Sequence, residues 1–188
     1  MDTKTKITQA FRELAYERGF YNATVDELAK RNNISKRTIY KHFNSKEQLI
    51  GTVIQQFIAE TEAQVDLRLN SADNPIEKIT ALARLVPERL TLLNPLMLRD
   101  LQIHYPQIWD QVEQFRAEKL KHIVNILMQG SQQGYFKEIN PVIVTASLLA
   151  TVRAVINPIF ILENNLTMDQ AFNAVFDTFL YGIVKNNQ

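Results

Sequence analysis

"TVDELAKRNNISKRTIYKHFNSKEQLI", residues 24–50, decides how this chain of 188 residues is read. Thr24 can cap the free N–H groups at the start of a helix, and Glu27 can reach back toward the cap, as in a capping box. Val25, Leu28 and Ala29 form that helix's inner face. "NNIS" follows. Asn enters the left-handed conformation more readily than other non-glycine residues, so Asn32 and Asn33 suit a tight turn. Ser35 caps a short helix over 36–43, whose buried side is Ile39 and Phe43 at i, i+4. "SKEQ" is a second capping box, Ser45 with Gln48, and opens a long helix to about residue 69.

Upstream, Ile7, Phe11 and Leu14 make one apolar stripe over a helix at 3–18, and Gly19 stands where a left-handed C′ residue is wanted. The chain therefore opens with three short helices, the last two joined by a tight turn. That is a helix-turn-helix pattern. In such a unit the second helix lies in the DNA major groove with its N-terminal residues at base edges.

The charge distribution agrees. The net charge is only +1. Residues 1–50 carry +4 and residues 51–188 carry −3, and residues 28–46 hold six basic side chains and no acid. So local an asymmetry points to an anionic partner for one face. With Ile39 and Phe43 inward, Lys36, Arg37, Tyr40 and Lys41 are left outward or at the edges. Arg37 can donate a bidentate pair to guanine, worth roughly 1–3 kcal/mol of discrimination. Lys36 can do the same or bind phosphate. Thr38 offers a hydroxyl and a methyl, for phosphate or a thymine methyl. Tyr40, Lys41 and His42 can donate to backbone oxygens. Thr24 and Lys46 each begin a helix, where free N–H groups favour an anion.

The connected string, with its Thr-capped second helix, then "ISKRTIYKHF", then "NSKEQL", resembles the DNA-binding segment of the TetR family of bacterial transcriptional regulators. The resemblance covers about residues 7–54. The family often has Ala-Gly where this chain has Asn32-Asn33. Carried over position by position, it implies DNA contacts at Thr24, Ser35, Lys36, Arg37, Thr38, Tyr40, His42 and Lys46. Lys41 is added on charge alone. It also implies an all-helical C-terminal domain that dimerises and holds an inducer pocket.

The rest of the chain is helical in its periodicity. Helices are expected near 76–93, 95–104, 107–132, 141–162 and 168–185, with "NSADNP" at 70–75 as a candidate linker. Pro87 and Pro158 should kink or interrupt their segments. The expected fold is all-α, with a three-helix DNA-binding domain at 1–48 and a larger helical effector and dimerisation domain at 49–188. Leu148, Leu149, Val152 and Ile156 lie on one apolar face of the last two helices. Phe172, Val175, Phe176, Phe179, Leu180 and Ile183 lie on the other. A lone domain would leave some of that exposed, which predicts a symmetric homodimer through these helices.

"HYPQIW", 104–109, packs three ring residues around a proline. His104 and Trp109, with Phe57, Met97, Phe115 and Phe160, can line an effector pocket, and they equally suit plain core packing. Arg153 and Asn157 fall at i, i+4 in an apolar helix. A buried charge must be paired; Arg153 has as candidates an acidic effector, Glu163, Asp177 or a partner chain. Glu113 and Glu118 read as surface charges.

There is no cysteine. The histidines and carboxylates show no metal-ligand spacing, and no phosphate loop or nucleophile elbow appears. No cofactor, no metal and no catalysis are expected. "MDTKTKITQAF" has no apolar h-region, so a cytoplasmic location is expected. The apolar run 142–162 carries Arg153 at its centre, so a buried helix is expected there rather than a membrane span. The function that follows is a sequence-specific regulator. It would be a repressor released by a small molecule, binding a pseudo-palindromic double-stranded operator as a homodimer. The alternative is a helical adaptor that turns its basic face to an acidic protein.

Overall fold

Every element among the described residues is a helix, and ten follow one another along the chain. The computed structural model describes residues 2–183, with side chains for 2–180. The helices are α1 (Thr3–Asn22), α2 (Val25–Arg31), α3 (Lys36–His42), α4 (Lys46–Asn70), α5 (Pro75–Leu90), α6 (Pro95–His104), α7 (Pro106–Gln132), α8 (Pro141–Val155), α9 (Pro158–Glu163) and α10 (Met168–Ile183). Residues 184 and 185 of the expected last helix lie outside the described residues, as does the Ile183 side chain.

Packing divides the chain into two units, and the division is not at residue 48. Among the described residues, the first unit joins 2–60 to Leu93–Val112, and the second joins Thr61–Leu92 to 113–183. Each of the long helices α4 and α7 contributes to both.

The first unit is built around Ile7, Phe11, Leu14, Phe20, Leu28, Ile39, Phe43, Leu49, Ile50 and Ile54. Met97, Leu98 and Leu101 of α6 complete it, all buried. Burying each such side chain is worth about 1.5–3 kcal/mol, so the short helices are held by this core more than by their own propensity. α6 packs along α1. The recognition-type module is thus completed by a segment some fifty residues beyond it.

The second unit has its own core of Ile79, Leu82, Leu85, Leu120, Val124, Leu127, Phe136 and Leu148. Here "NSADNP" is a capped turn inside one unit, not a linker between two. Asn74 accepts the Glu77 N–H at 3.0 Å, and Glu77 accepts the Asp73 N–H at 2.9 Å. Pro158 interrupts as expected: α8 stops at Val155, Asn157 caps α9, and Pro158 sits in its first turn. Pro87 does not interrupt; α5 runs on to Leu90.

The apolar faces expected to meet a second subunit are used inside this unit. Leu148, Val152, Ile156, Phe172, Val175 and Phe176 turn toward α5 and α7 and border a cavity of about 80 Å³. The exposed side of α8 is instead Val142, Ile143, Ala146, Ser147, Ala150 and Ala154, and that of α10 is Asn173, Ala174, Asp177 and Thr178. No helix among the described residues is long and apolar enough to cross a membrane.

Candidate nucleic-acid interface

The helix-turn-helix forms from local signals. The Thr24 hydroxyl accepts the Glu27 N–H at 3.1 Å and starts α2. The reciprocal half of that capping box is not made. Glu27 turns its carboxylate to Arg18 at 3.1 Å and Arg31 at 2.8 Å, since two guanidiniums outbid one backbone N–H. Asn33 takes the positive φ of 52° that the turn needs, while Asn32 ends α2 and donates its side-chain amide to the Leu28 carbonyl at 3.0 Å. The Ile34 N–H closes back on the Ala29 carbonyl at 3.0 Å.

Ser35 then caps α3, accepting the Thr38 N–H at 3.0 Å. The two hydroxyls of Ser35 and Thr38 also share a 2.8 Å hydrogen bond, leaving the Thr38 methyl and one lone-pair edge available. Ile39 and Phe43 anchor the inner side at 1% and 2% exposure, which fixes the outer side. Lys36, Arg37, Tyr40 and Lys41 are exposed there, and His42 is half-buried at the end of the helix. Arg37, Tyr40 and Lys41 make no side-chain hydrogen bond or ion pair among the described residues. Lys36 is held by Asp26 at 2.5 Å, a carboxylate the charge count over 28–46 passes over.

The edges of this face are the starts of α2 and α4. Thr24 is exposed beside the first. At the second, Ser45 accepts the Gln48 N–H at 3.1 Å, and Gln48 reaches back to the Asn44 N–H at 2.5 Å. Lys46 is half-buried and donates to the Tyr21 carbonyl at 2.7 Å. Burial pushes its ammonium pKa below the usual value, and the Asp100 carboxylate opposes that. An ammonium has three donors, so two remain for an anion. The nine residues expected at the DNA therefore fall on α3 and on the starts of α2, α3 and α4.

The eight residues expected around an effector divide between the two units. Phe57, Met97, His104 and Trp109 belong to the first unit, and Phe115, Arg153, Asn157 and Phe160 to the second. Met97 and Phe57 are core. His104 is exposed and stacks on Tyr21 with ring centroids 4.0 Å apart. Asn157 caps α9 through the Ile159 N–H at 2.9 Å, and Phe160 is 38% exposed. Arg153 is exposed rather than buried and pairs with Glu113 at 3.4 Å. Glu113 also takes Arg116 at 2.9 Å, so it is an ion-pair hub and not a bare surface charge.

None of the eight borders the second unit's cavity, whose walls are wholly apolar and come from α5, α7, α8 and α10. Large ring or thioether side chains grouped with "HYPQIW" supply six of the eight, and the i, i+4 spacing of Arg153 and Asn157 supplies the other two. The cavity is lined by aliphatic residues such as Ile79, Ala83 and Ile123 together with Phe172, Phe176 and Phe179, some of which the sequence offers as a dimer face and none as a pocket.

A helix with a free cationic outer side, set by capped turns on a three-helix head, is the arrangement of a helix-turn-helix DNA-binding regulator. Residues 7–53 match the family model described as bacterial regulatory proteins, tetR family. The HTH-type transcriptional regulator YvaF of Bacillus subtilis strain 168 is 27% identical over 98% of this chain and 97% of its own length. The HTH-type transcriptional repressor KstR2 of Mycolicibacterium smegmatis is 28% identical over 71% of this chain and 67% of its own. Among solved structures, a transcriptional regulator from Saccharomonospora viridis in complex with choline superposes with a TM-score of 0.79. It is 18% identical and is covered to 98%, against 97% of this chain. Residues 7–53 thus carry the DNA-binding segment of the TetR family, and the chain is similar over nearly its whole length to a helix-turn-helix transcriptional regulator. These relatives are regulators, not enzymes. Among the described residues no group of three or more His, Asp or Glu is placed to hold a metal ion.

Proposed function

We propose that the protein is a repressor that binds a pseudo-palindromic operator as a homodimer and is released by a small apolar effector. The observation that carries the operator reading is the outer side of α3. Arg37, Tyr40 and Lys41 are exposed without partners among the described residues, over an inner side sealed by Ile39 and Phe43. Arg37 reads a guanine. Thr38 and Lys36 add base or phosphate contacts. Thr24, Ser35, Tyr40, Lys41, His42 and Lys46 hold the backbone and set the register.

Dimerisation uses the exposed side of α8 and α10. Ala146, Ala150 and Ala154 recur every fourth residue there, with Ala174 on the second helix, so two copies can bring their backbones close. Two-fold symmetry then demands half-sites about 34–36 Å apart, or a multiple of that.

The cavity supports the effector reading by its size as well as its walls. Its volume of about 80 Å³ is roughly half of the ~150 Å³ that admits benzene. Anything larger must spread α5, α7, α8 and α10, and so binds the spread state better. Such a differential affinity is the one thing that lets a ligand shift an equilibrium. Naming supports repression in part: KstR2 of M. smegmatis is a repressor by name.

The experiment is selection of duplexes from a random pool with the full-length protein. An inverted repeat whose binding weakens steeply with salt is expected. Arg37→Ala should cost about 1–3 kcal/mol and relax the sequence at one position of each half-site. No enrichment, or an Arg37→Ala loss equal on all sequences, overturns the operator reading.

A further inference from the structure

Asp100 lies on α6, 79 residues from Tyr21, and is 1% exposed in the first unit. Its carboxylate accepts the Tyr21 backbone N–H at 2.8 Å and the Arg99 guanidinium at 3.2 Å. The corner it touches is unusual. Gly19 has φ 78° and ψ 163°, and a Cβ there would overlap the Asp100 carboxylate. α1 breaks at this glycine, makes one more turn, and hands over to α2 at Ala23. The break thus brings backbone and carboxylate together.

Tyr21 is held at both ends of its own residue. Its N–H goes to Asp100, and its carbonyl takes the Lys46 ammonium at 2.7 Å. A buried carboxylate from outside the helix-turn-helix is therefore one residue removed from the cation that starts α4. It also attracts that cation through space, against the burial that lowers the ammonium's pKa.

We propose that Asp100 is a positioning residue for DNA binding: by fixing the Tyr21 peptide and attracting the Lys46 ammonium with its own charge, it aims Lys46 and so makes the Lys46 phosphate contact. The inference rests on the assignment of Lys46 to phosphate. Asp100 itself touches no DNA. It sets the distance between the start of α2, reached through Ala23 and Thr24, and the start of α4. Those two helix starts are the two backbone-gripping edges on either side of α3. Base reading by Arg37 is left alone, because α3 hangs on Ile39 and Phe43 rather than on this corner.

The test uses the full-length protein and the 30–40 base-pair duplex enriched from a random pool by the wild type. Binding is followed by anisotropy from 50 to 200 mM salt. Lys46→Ala should lower the magnitude of the log affinity against log salt slope by about 0.9 per protomer, one phosphate contact. Asp100→Asn removes the charge that attracts Lys46 while keeping an oxygen for the Tyr21 N–H, and thermal melting checks that the fold is kept. It should lower the slope by the same amount and the affinity at 50 mM salt by several-fold. The selected sequence should not change. Placed on top of Lys46→Ala, Asp100→Asn should take nothing more from the slope.

A slope unchanged by Asp100→Asn while Lys46→Ala lowers it overturns the proposal and leaves Lys46 as a phosphate contact. Affinity lost at constant slope makes Asp100 merely structural, which also overturns it. A slope unchanged by Lys46→Ala removes the contact itself, and with it both the assignment of Lys46 and the role of Asp100. Failure of the wild type to enrich any duplex is the separate failure of the operator reading.

Discussion

The Lys36 ammonium sits 2.5 Å from the Asp26 carboxylate, pairing the first turn of α3 with the first turn of α2. Both side chains are more than half exposed, at 55% and 69%. Exposed pairs of this kind are worth about 0.2–1 kcal/mol, too little to hold Lys36 against a phosphate or a guanine edge. Asp26 also faces whatever anion α3 meets. Asp26→Asn should therefore tighten duplex binding by roughly two- to fivefold at low salt. The gain should shrink as salt rises, because the pair is open to screening. Titration of one duplex at two ionic strengths measures it. Weaker binding would mean that Asp26 orients Lys36 rather than competing for it.

Gly19 and Gly134 have nearly the same φ, 78° and 81°, in different surroundings. A Cβ at Gly134 meets nothing within 4 Å, whereas one at Gly19 meets Asp100 and Leu96. Gly134→Ala should cost only the backbone strain, about 1–3 kcal/mol. Gly19→Ala should cost more, since a buried carboxylate must also move. A midpoint lower by roughly 3–10 °C in thermal denaturation is expected for Gly19→Ala, and a smaller drop for Gly134→Ala. Equal drops would show that the approach of Asp100 to Gly19 carries no stability.

What was legible in the sequence is what neighbours along the chain decide. Thr24, Ser35 and Ser45 cap helices through N–H groups three residues on, and Asn33 turns the backbone by its own conformational tolerance. Ile39 and Phe43 point inward by period alone. These local rules fix α2, α3 and the start of α4, and hence which side of α3 faces out. They fail where a distant partner wins. Glu27 abandons its cap for Arg18 on the preceding helix, with Arg31 one turn on. Arg153, set in an apolar run, escapes burial by reaching Glu113, a residue forty positions earlier on another helix. Asp100 has only one sequence signal, a carboxylate beside Leu98 and Leu101 in "LMLRDLQI", and its meaning depends on Gly19. The second unit's cavity is hidden from the sequence for the same reason. A cavity is a gap between helices, and no single helix's pattern shows whether a Leu or an Ala lines it.

Glu113 joins Arg116, at 2.9 Å, to Arg153, at 3.4 Å. The two guanidiniums differ in exposure: the Arg116 side chain is 14% exposed and that of Arg153 57%. Solvent competes with the second bond and much less with the first. Arg153→Ala should thus change stability by less than about 1 kcal/mol. Glu113→Ala should cost about 1–3 kcal/mol, because a largely buried charge loses a carboxylate. Chemical denaturation of both variants checks the order. If Arg153→Ala costs as much as Glu113→Ala, the bond to Arg153 is stronger than its exposure allows.

Ala83 borders the cavity on α5, facing walls that include Leu120, Val152 and Phe176. Ala83→Leu adds about three carbon atoms where about 80 Å³ stands open, so it fills rather than overpacks. Filling of this kind leaves stability unchanged or raises it by about 0.5–2 kcal/mol. The outer side of α3 is untouched, so duplex binding should match the wild type. Release should not. An uncharged apolar fluorescent dye such as N-phenyl-1-naphthylamine should light up on the wild type and weaken its hold on the selected duplex. On Ala83→Leu it should do neither. A variant that still takes the dye and still lets go of DNA would move the effector site away from this cavity. One that binds DNA less without any dye would mean that the α5 packing itself sets the geometry of the DNA-binding unit.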